Sequence, residues 1–325
     1  MEKKGNSRRK WLSAIAILCV LAVIAAGVLA MGMLYQKVKL LYEHVAGLAE
    51  STDEYVKRID WKTPWPEHLE YDLEEPYVFD YSWVDQQPPL VAHAMGSVDG
   101  KNYTNSREAF EYNYSMGHRV FEVDFDLTDS DFVLICSHDA DTWRNYCGLS
   151  ADEAYSYDTF MNTPVLGAYT PMDYRDVVQL LVKYPDAYIV ADTKYTDFPR
   201  VHIAFTQLTD YAKMVDPSVM DRIIPQIYHE KMVGWVMDIY PFRSMILTLY
   251  QTQWNENEVY KFCADSGIRF VTIKDVYVES GIIDLWKQLG IRVAVHTIND
   301  VNTANQLREM GVDMLYTDWL TPSEM

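Results

Sequence analysis

The sequence predicts an α/β protein: a (β/α)8 TIM barrel with a β-hairpin inserted after its second strand and a transmembrane helix in front. Three observations predict it. Short β-rich runs alternate with helical stretches through the last 237 residues, which is the usual size of such a barrel. One pair of runs breaks the alternation, and ionisable residues gather at the ends of several runs.

From the N-terminus, residues 1–11 form a basic tail with Lys3, Lys4, Arg8, Arg9 and Lys10. Trp11 to Leu34 is nearly continuous apolar sequence without a charge, and residues 12–34 are assigned as a membrane-spanning helix. At about 1.5 Å per residue such a stretch crosses a hydrocarbon core of about 30 Å. The basic tail then predicts a cytoplasmic N-terminus and a body outside the cytoplasm. Val28 and Ala30 also fit a signal-peptide cleavage site, but signal cores are shorter, roughly 7 to 15 residues.

Residues 35–88 form a stalk and linker. Val38, Leu41, Val45 and Leu48 recur at steps of three and four, the spacing of a helix face. Pro64, Pro66, Pro76 and Pro88 follow among acidic and aromatic residues, a composition that fits a linker pressed against a domain rather than a free chain.

The barrel occupies residues 89–325. Strands are expected at Leu90–Ala94, Val120–Asp126, Phe132–Ser137, Tyr188–Asp192, Ile223–Tyr228, Met245–Tyr250, Phe270–Ile273, Arg292–His296 and Met314–Thr317. Helices are expected between most of them, among them Ser106–Met116, Pro171–Lys183, Pro199–Lys213 and Val301–Met310. Thr128–Asp131 is too short for a parallel crossover, so the second and third runs form a hairpin and eight β/α steps remain. An open doubly wound sheet is disfavoured because no glycine-rich nucleotide loop follows the first strand.

Composition narrows the function. The formal charge is −19, the first ten residues contribute +4, and the remainder carries −23. Such a body repels phosphate backbones, so nucleic acid is not an expected partner. No C-x-x-C pair occurs, which leaves a zinc ribbon or thioredoxin-like centre without support. Cys136 and Cys147 are near enough in sequence to bridge in an exported protein, or to remain two thiols.

Catalytic residues of these barrels lie at the C-terminal ends of strands. Here the first strand runs into His93, the second carries Glu122 and Asp124 two positions apart and so on one face, the hairpin strand runs into His138-Asp139, and the next ends in Asp192 with Lys194 beyond. A charged cluster of this kind costs stability unless it binds something. Carboxylate oxygens suit Ca²⁺ or Mg²⁺, with the histidines left free for proton transfer. Asn105 with Glu108 three residues later reads as a helix capping box with no catalytic part. Trp143, Arg144 and Tyr146 are placed either over the pocket or in a loop covering the barrel.

These residues resemble the glycerophosphodiester phosphodiesterase family. That family opens with a histidine on the first strand and an Asn-containing helix start with an Ala-Phe pair, then E-x-D, a turn and a strand ending in His-Asp. Here this pattern reads His93, Asn105, Ala109-Phe110, Glu122, Asp124, His138 and Asp139; Asp192 and Lys194, Val295–Asn299 and Gly311–Asp318 are similar to later family segments. The resemblance implies that Glu122, Asp124 and Asp192 hold a divalent ion, that His93 and His138 act as general base and general acid, and that Lys194 meets the phosphate. The chain departs from the family in three places. Ala94 stands where an arginine usually follows the first histidine, Asp192 replaces the commoner glutamate, and His296 stands where a tryptophan often lines the pocket. His296 is either a substrate contact or a buried hydrogen-bonded histidine, and Lys274 is a candidate replacement for the missing cation.

The expected substrate is a small glycerophosphodiester, a lipid headgroup or a cell-envelope phosphodiester. Two rival readings are a phospholipase C- or sphingomyelinase D-like enzyme acting on intact lipid, and a membrane-anchored barrel used only for binding.

Overall fold

The computed structural model describes residues 75–129, 131–251 and 254–325. The expected basic tail, membrane helix and stalk lie outside these residues; among the described ones no helix is long and apolar enough to cross a membrane.

The chain forms β1 (Leu90–Ala92), α1 (Arg107–Ser115), β2 (Val120–Leu127), β3 (Leu134–Cys136), α2 (Ala140–Cys147), α3 (Tyr157–Met161), α4 (Tyr174–Lys183), β4 (Tyr188–Asp192) and α5 (Phe198–Val215). It continues with β5 (Ile223–Ile227), α6 (Lys231–Ile239), β6 (Ile246–Thr248), α7 (Glu256–Ser266), β7 (Phe270–Lys274), α8 (Ser280–Gln288), β8 (Arg292–His296), α9 (Val301–Glu309) and β9 (Met314–Thr317). Strand order is β1-β9-β8-β7-β6-β5-β4-β2, and the β1–β2 pairing closes the barrel. All of these pairings are parallel, while β3 pairs antiparallel to β2 as the short turn requires. The predicted (β/α)8 barrel with its hairpin is therefore the observed architecture.

Side chains alternate along each strand, so steps of two residues climb the barrel interior. Its lower layer is one apolar cluster that includes Val91, Val120, Val190, Ile224, Ile246, Phe270, Ala294 and Met314. Two residues further along the same strands stand His93, Glu122, Asp192, Gln226, His296 and Tyr316, which line a cavity. The interior thus changes from hydrocarbon to ionisable groups within two residues of each strand. The outward faces of the strands pack with the helices in the larger core.

The segment before β1 closes the lower end. Tyr81, Trp83 and Val84 belong to the lower apolar cluster. The Trp83 indole stacks on Tyr188 at 5.3 Å and its N–H donates to Ser244 Oγ at 2.9 Å. The Tyr81 hydroxyl donates to the Met245 carbonyl at 2.7 Å and accepts from the Arg269 N–H at 3.2 Å. Arg243 pairs with Asp80 and Arg292 with Asp85. Gly267 is needed here, because a Cβ on it would stand 1.9 Å from the Tyr77 carbonyl oxygen. This stretch packs against the barrel at the end opposite the C-terminal ends of the strands.

Candidate active site

The site grows from the C-terminal ends of the strands around a cavity of about 480 Å³. Beyond β1 the chain turns sharply at His93–Met95, where Ala94 takes a left-handed conformation at φ 48°. Outliers of this kind concentrate at functional sites. The turn is pinned from below: Asn113 donates to the carbonyls of Met95 and Ser97 at 3.1 and 2.8 Å. It also aims the Ala94 N–H at Glu122 Oε2, 2.7 Å away.

Glu122, Asp124 and Asp192 are buried and offer oxygens that all lie within 4.8 Å of one another. Burial, and then the charge of Asp124, raise the Glu122 carboxyl. Asp124 moves the other way; burial opposes its ionisation, but the Lys194 ammonium and the two histidines beside it prevail. Lys194, itself left-handed at φ 55°, pairs with Asp124 and lies 3.8 Å from Asp192. Burial works against its charge, yet these carboxylates hold its pKa well above the ordinary value. The Tyr228 hydroxyl donates to Asp192 and hydrogen-bonds Tyr250 at 2.9 Å.

The residues fit a hard divalent cation. The donors are all oxygens, and Glu122 Oε1 is buried with no hydrogen-bond partner among the described residues. A buried orphan carboxylate oxygen is costly unless a cation or donor meets it.

His93 faces this cluster, its Nε2 4.0 Å from Glu122, and its Nδ1 meets Asp318 at 2.9 Å. Burial opposes protonation of the imidazole, but the hydrogen bond to Asp318 and the charges of Glu122 and Asp124 outweigh it and push the ring up to about 9. Asp318 is held in turn: it accepts from Asn299 Nδ2 at 2.9 Å and donates its N–H to Asn299 Oδ1 at 2.8 Å. His138 is more open and pairs through Nδ1 with Asp139, whose other oxygen caps α2 by accepting from the Thr142 N–H at 2.7 Å. The Tyr103 ring stands edge-on to both histidines, with centroids 4.8 Å from His93 and 6.0 Å from His138.

Every site residue expected from the sequence lines this one cavity: His93, Glu122, Asp124, His138, Asp192, Lys194, Lys274 and His296. Sequence reasoning missed Tyr103, Gln226, Tyr250 and Tyr316, which line it too, and Asp318, which supports His93. Asp318 directly follows β9, so the strand-end rule that found the others would have found it.

One reading is corrected. Asn105 does not cap α1. Ser106 takes that position, its Oγ accepting from the Ala109 N–H at 3.2 Å, while Glu108 turns to Thr170. Asn105 instead embraces Asp124, donating from Nδ2 to its carboxylate at 2.9 Å and accepting its N–H at 3.1 Å. It is a supporting residue of the acidic cluster. Trp143 packs with Ile135, Tyr155 and Phe160 in a small satellite core and, with Tyr146, walls a narrow recess beside His138. Arg144 donates to the Glu153 carbonyl at 3.0 Å. Cys136 and Cys147 are both free thiols.

No known family's sequence model matches the chain, and no curated protein does. Solved structures do. An Oleispira antarctica phosphodiesterase in complex with the product sn-glycerol-3-phosphate aligns with a TM-score of 0.59 at 14% identity, covering 74% of this chain and 97% of that one. A glycerophosphodiester phosphodiesterase from Parabacteroides distasonis aligns at 0.57 and 16%, covering 71% and 92%. Another from Agrobacterium tumefaciens aligns at 0.56 and 15%, covering 73% and 99%. At these identities the likeness establishes a shared fold.

Proposed function

We propose that this chain is a phosphoric diester hydrolase of the glycerophosphodiester phosphodiesterase type, acting with a divalent cation, Ca²⁺ or Mg²⁺, on glycerophosphodiesters or related headgroup or cell-envelope diesters. The observation that carries the reading is the convergence of three buried carboxylates, two histidines and a lysine on one cavity, with a Glu122 oxygen that has no hydrogen-bond partner among the described residues. Solved phosphodiesterases that share the fold support it.

Glu122, Asp124 and Asp192 would hold the cation, which when bound supplies charge stabilisation to a phosphoryl group gaining negative charge. His93, its Nδ1 fixed by Asp318, presents Nε2 to the cavity and takes the proton of the attacking hydroxyl. His138, edge-on to the same Tyr103 ring, protonates the departing alkoxide. Lys194 and Lys274 are the cations left for the phosphate, and Lys274 compensates for Ala94, whose methyl replaces the family arginine. The Asp318 hydrogen bond, then the charges of Glu122 and Asp124, hold the His93 proton against burial, and a divalent cation on those two carboxylates would offset the part that they supply. The apolar N-terminal stretch behind a basic tail supports a membrane-anchored enzyme with its barrel outside the cytoplasm.

The test is release of glycerol phosphate and free alcohol from a panel of glycerophosphodiesters, with Ca²⁺, Mg²⁺ or chelator, in the wild type, His93→Ala and His138→Ala. Turnover abolished by chelator and by either substitution supports the reading. Cleavage of intact phospholipids but not of soluble diesters would favour the phospholipase alternative. Tight cation binding without turnover on either class would leave a binding protein.

A further inference from the structure

We infer that Tyr195 is a positioning residue for Lys194: by fastening its hydroxyl to an edge of β2, it holds the left-handed turn that sends the Lys194 ammonium into the cavity. The inference rests on the phosphodiesterase reading, in which Lys194 meets the phosphate, and names what keeps that cation in place.

Strand β4 ends at Asp192, in register with Asp124, while β2 runs on to Leu127 with β3 along its other edge. The edge that β4 leaves is taken up by a side chain. The Tyr195 hydroxyl accepts the Leu127 N–H at 2.6 Å and donates to the Asp126 carboxylate.

Asp124 and Asp126 are two positions apart and so share a face of β2. Lys194 and Tyr195 are consecutive, and in an extended strand their side chains would point to opposite sides. They nonetheless meet those two carboxylates in turn, Lys194 pairing with Asp124 and Tyr195 with Asp126. The φ of 55° at Lys194 breaks the alternation. A left-handed lysine is disfavoured and persists only where its surroundings fix it. Here it is fixed from both sides. The Lys194 N–H donates to Asp192 Oδ1 at 3.1 Å. On the other side the Tyr195 ring, buried in the larger core under the Arg200 guanidinium at 4.6 Å, ties the next residue to β2. The Leu127 N–H also reaches Asp126 Oδ1 at 3.0 Å, so it keeps a partner without the hydroxyl. What the hydroxyl adds is the link between the turn and the strand.

The experiment is calorimetric binding of glycerol 3-phosphate to the full-length chain with Mg²⁺. Lys194→Met should weaken it by roughly 10- to 100-fold, as expected for loss of a charged hydrogen bond. Tyr195→Phe keeps the ring and should weaken it by about 3- to 10-fold, one hydrogen bond's worth. Added to Lys194→Met, Tyr195→Phe should change the affinity by less than about 2-fold, because the ammonium it positions is gone. Asp126→Asn and Asp126→Ala remove the same charge, but only alanine removes the acceptor, so alanine should bind the ester about 3- to 10-fold more weakly than asparagine. A purely structural tyrosine would lower the thermal unfolding temperature without this dependence on Lys194. Wild-type affinity in Tyr195→Phe, or a loss that persists in full without the lysine, overturns the inference and leaves the phosphodiesterase reading intact. Failure of the wild type to bind the ester defeats both.

Discussion

Replacing Asp318 with asparagine isolates the support of the proposed base without changing its volume. In the structure one Asp318 oxygen meets His93 Nδ1 at 2.9 Å and the other accepts from Asn299 Nδ2 at 2.9 Å. The side chain is only 6% exposed, so water is poorly placed to replace a lost partner. An asparagine there has a single acceptor. If its oxygen serves the Asn299 amide, its NH₂ faces His93 Nδ1 and forces the proton to Nε2, the nitrogen that must be free to act as base. If the amide flips, two NH₂ groups meet across Asn299. The first arrangement costs less, because it leaves every donor paired. General-base assistance is worth about 10²- to 10⁴-fold, so kcat should fall by that factor, about 3 to 5 kcal/mol of barrier. The assay is steady-state hydrolysis of a glycerophosphodiester at saturating cation, with cation affinity and thermal unfolding measured on the same preparation. A variant that binds cation and unfolds like the wild type, yet retains kcat within about 3-fold, would refute the assignment of His93 as a base held by Asp318.

Two further outcomes follow from other contacts. Asn105→Ala removes the two hydrogen bonds that Asn105 makes to Asp124, leaving the Lys194 pair, and should weaken divalent-cation binding by about 10- to 100-fold in a calorimetric titration, with α1 intact because Ser106 caps it. His118 is buried with Nε2 donating to the Leu320 carbonyl and Nδ1 unpaired among the described residues, and burial pushes it down to about 4. Its unfolded counterpart titrates near 6.5, so below that pH the unfolded chain binds the proton first and stability declines until about pH 4. The loss should approach about 3 kcal/mol, at about 1.4 kcal/mol per unit, and be absent from His118→Gln; denaturant unfolding across this range should show the two proteins diverging as pH falls.

The strands were legible as short β-rich runs, buried on both faces, between helical stretches, and Tyr188–Asp192, Arg292–His296 and Met314–Thr317 coincide with the expected bounds. The site was legible because Glu122 and Asp124 continue the face begun by apolar Val120, and a charge on a core face asks for an explanation. Asn105 was misread because its neighbour Ser106 is an equally good cap, and only the tertiary approach of Asp124 decides which residue takes the role. Tyr103 could not be found by pattern. It lies in the irregular loop after β1 at a left-handed φ of 58°, where neither strand nor helix periodicity applies. The stretch holding α2 and α3 was equally opaque, since helices of eight and five residues are too short to display a repeating face.

The aromatic segment that seals the lower barrel has a consequence for the timing of folding. Tyr81 and Trp83 take their partners from Ser244, Met245 and Arg269, between 161 and 188 positions later in the chain. At synthesis rates of about 5–20 residues per second these rings wait roughly 10 to 40 s before their partners have been made. Docking the segment is therefore a late event, available only after the strands through β6 have been made. Asp80 and Asp85 flank the rings, and their arginine partners are equally late to appear. During that interval they are unpaired charges beside exposed aromatics, a placement that discourages association with neighbouring chains. The same two carboxylates thus act first as guards of a waiting segment and afterwards as its fasteners.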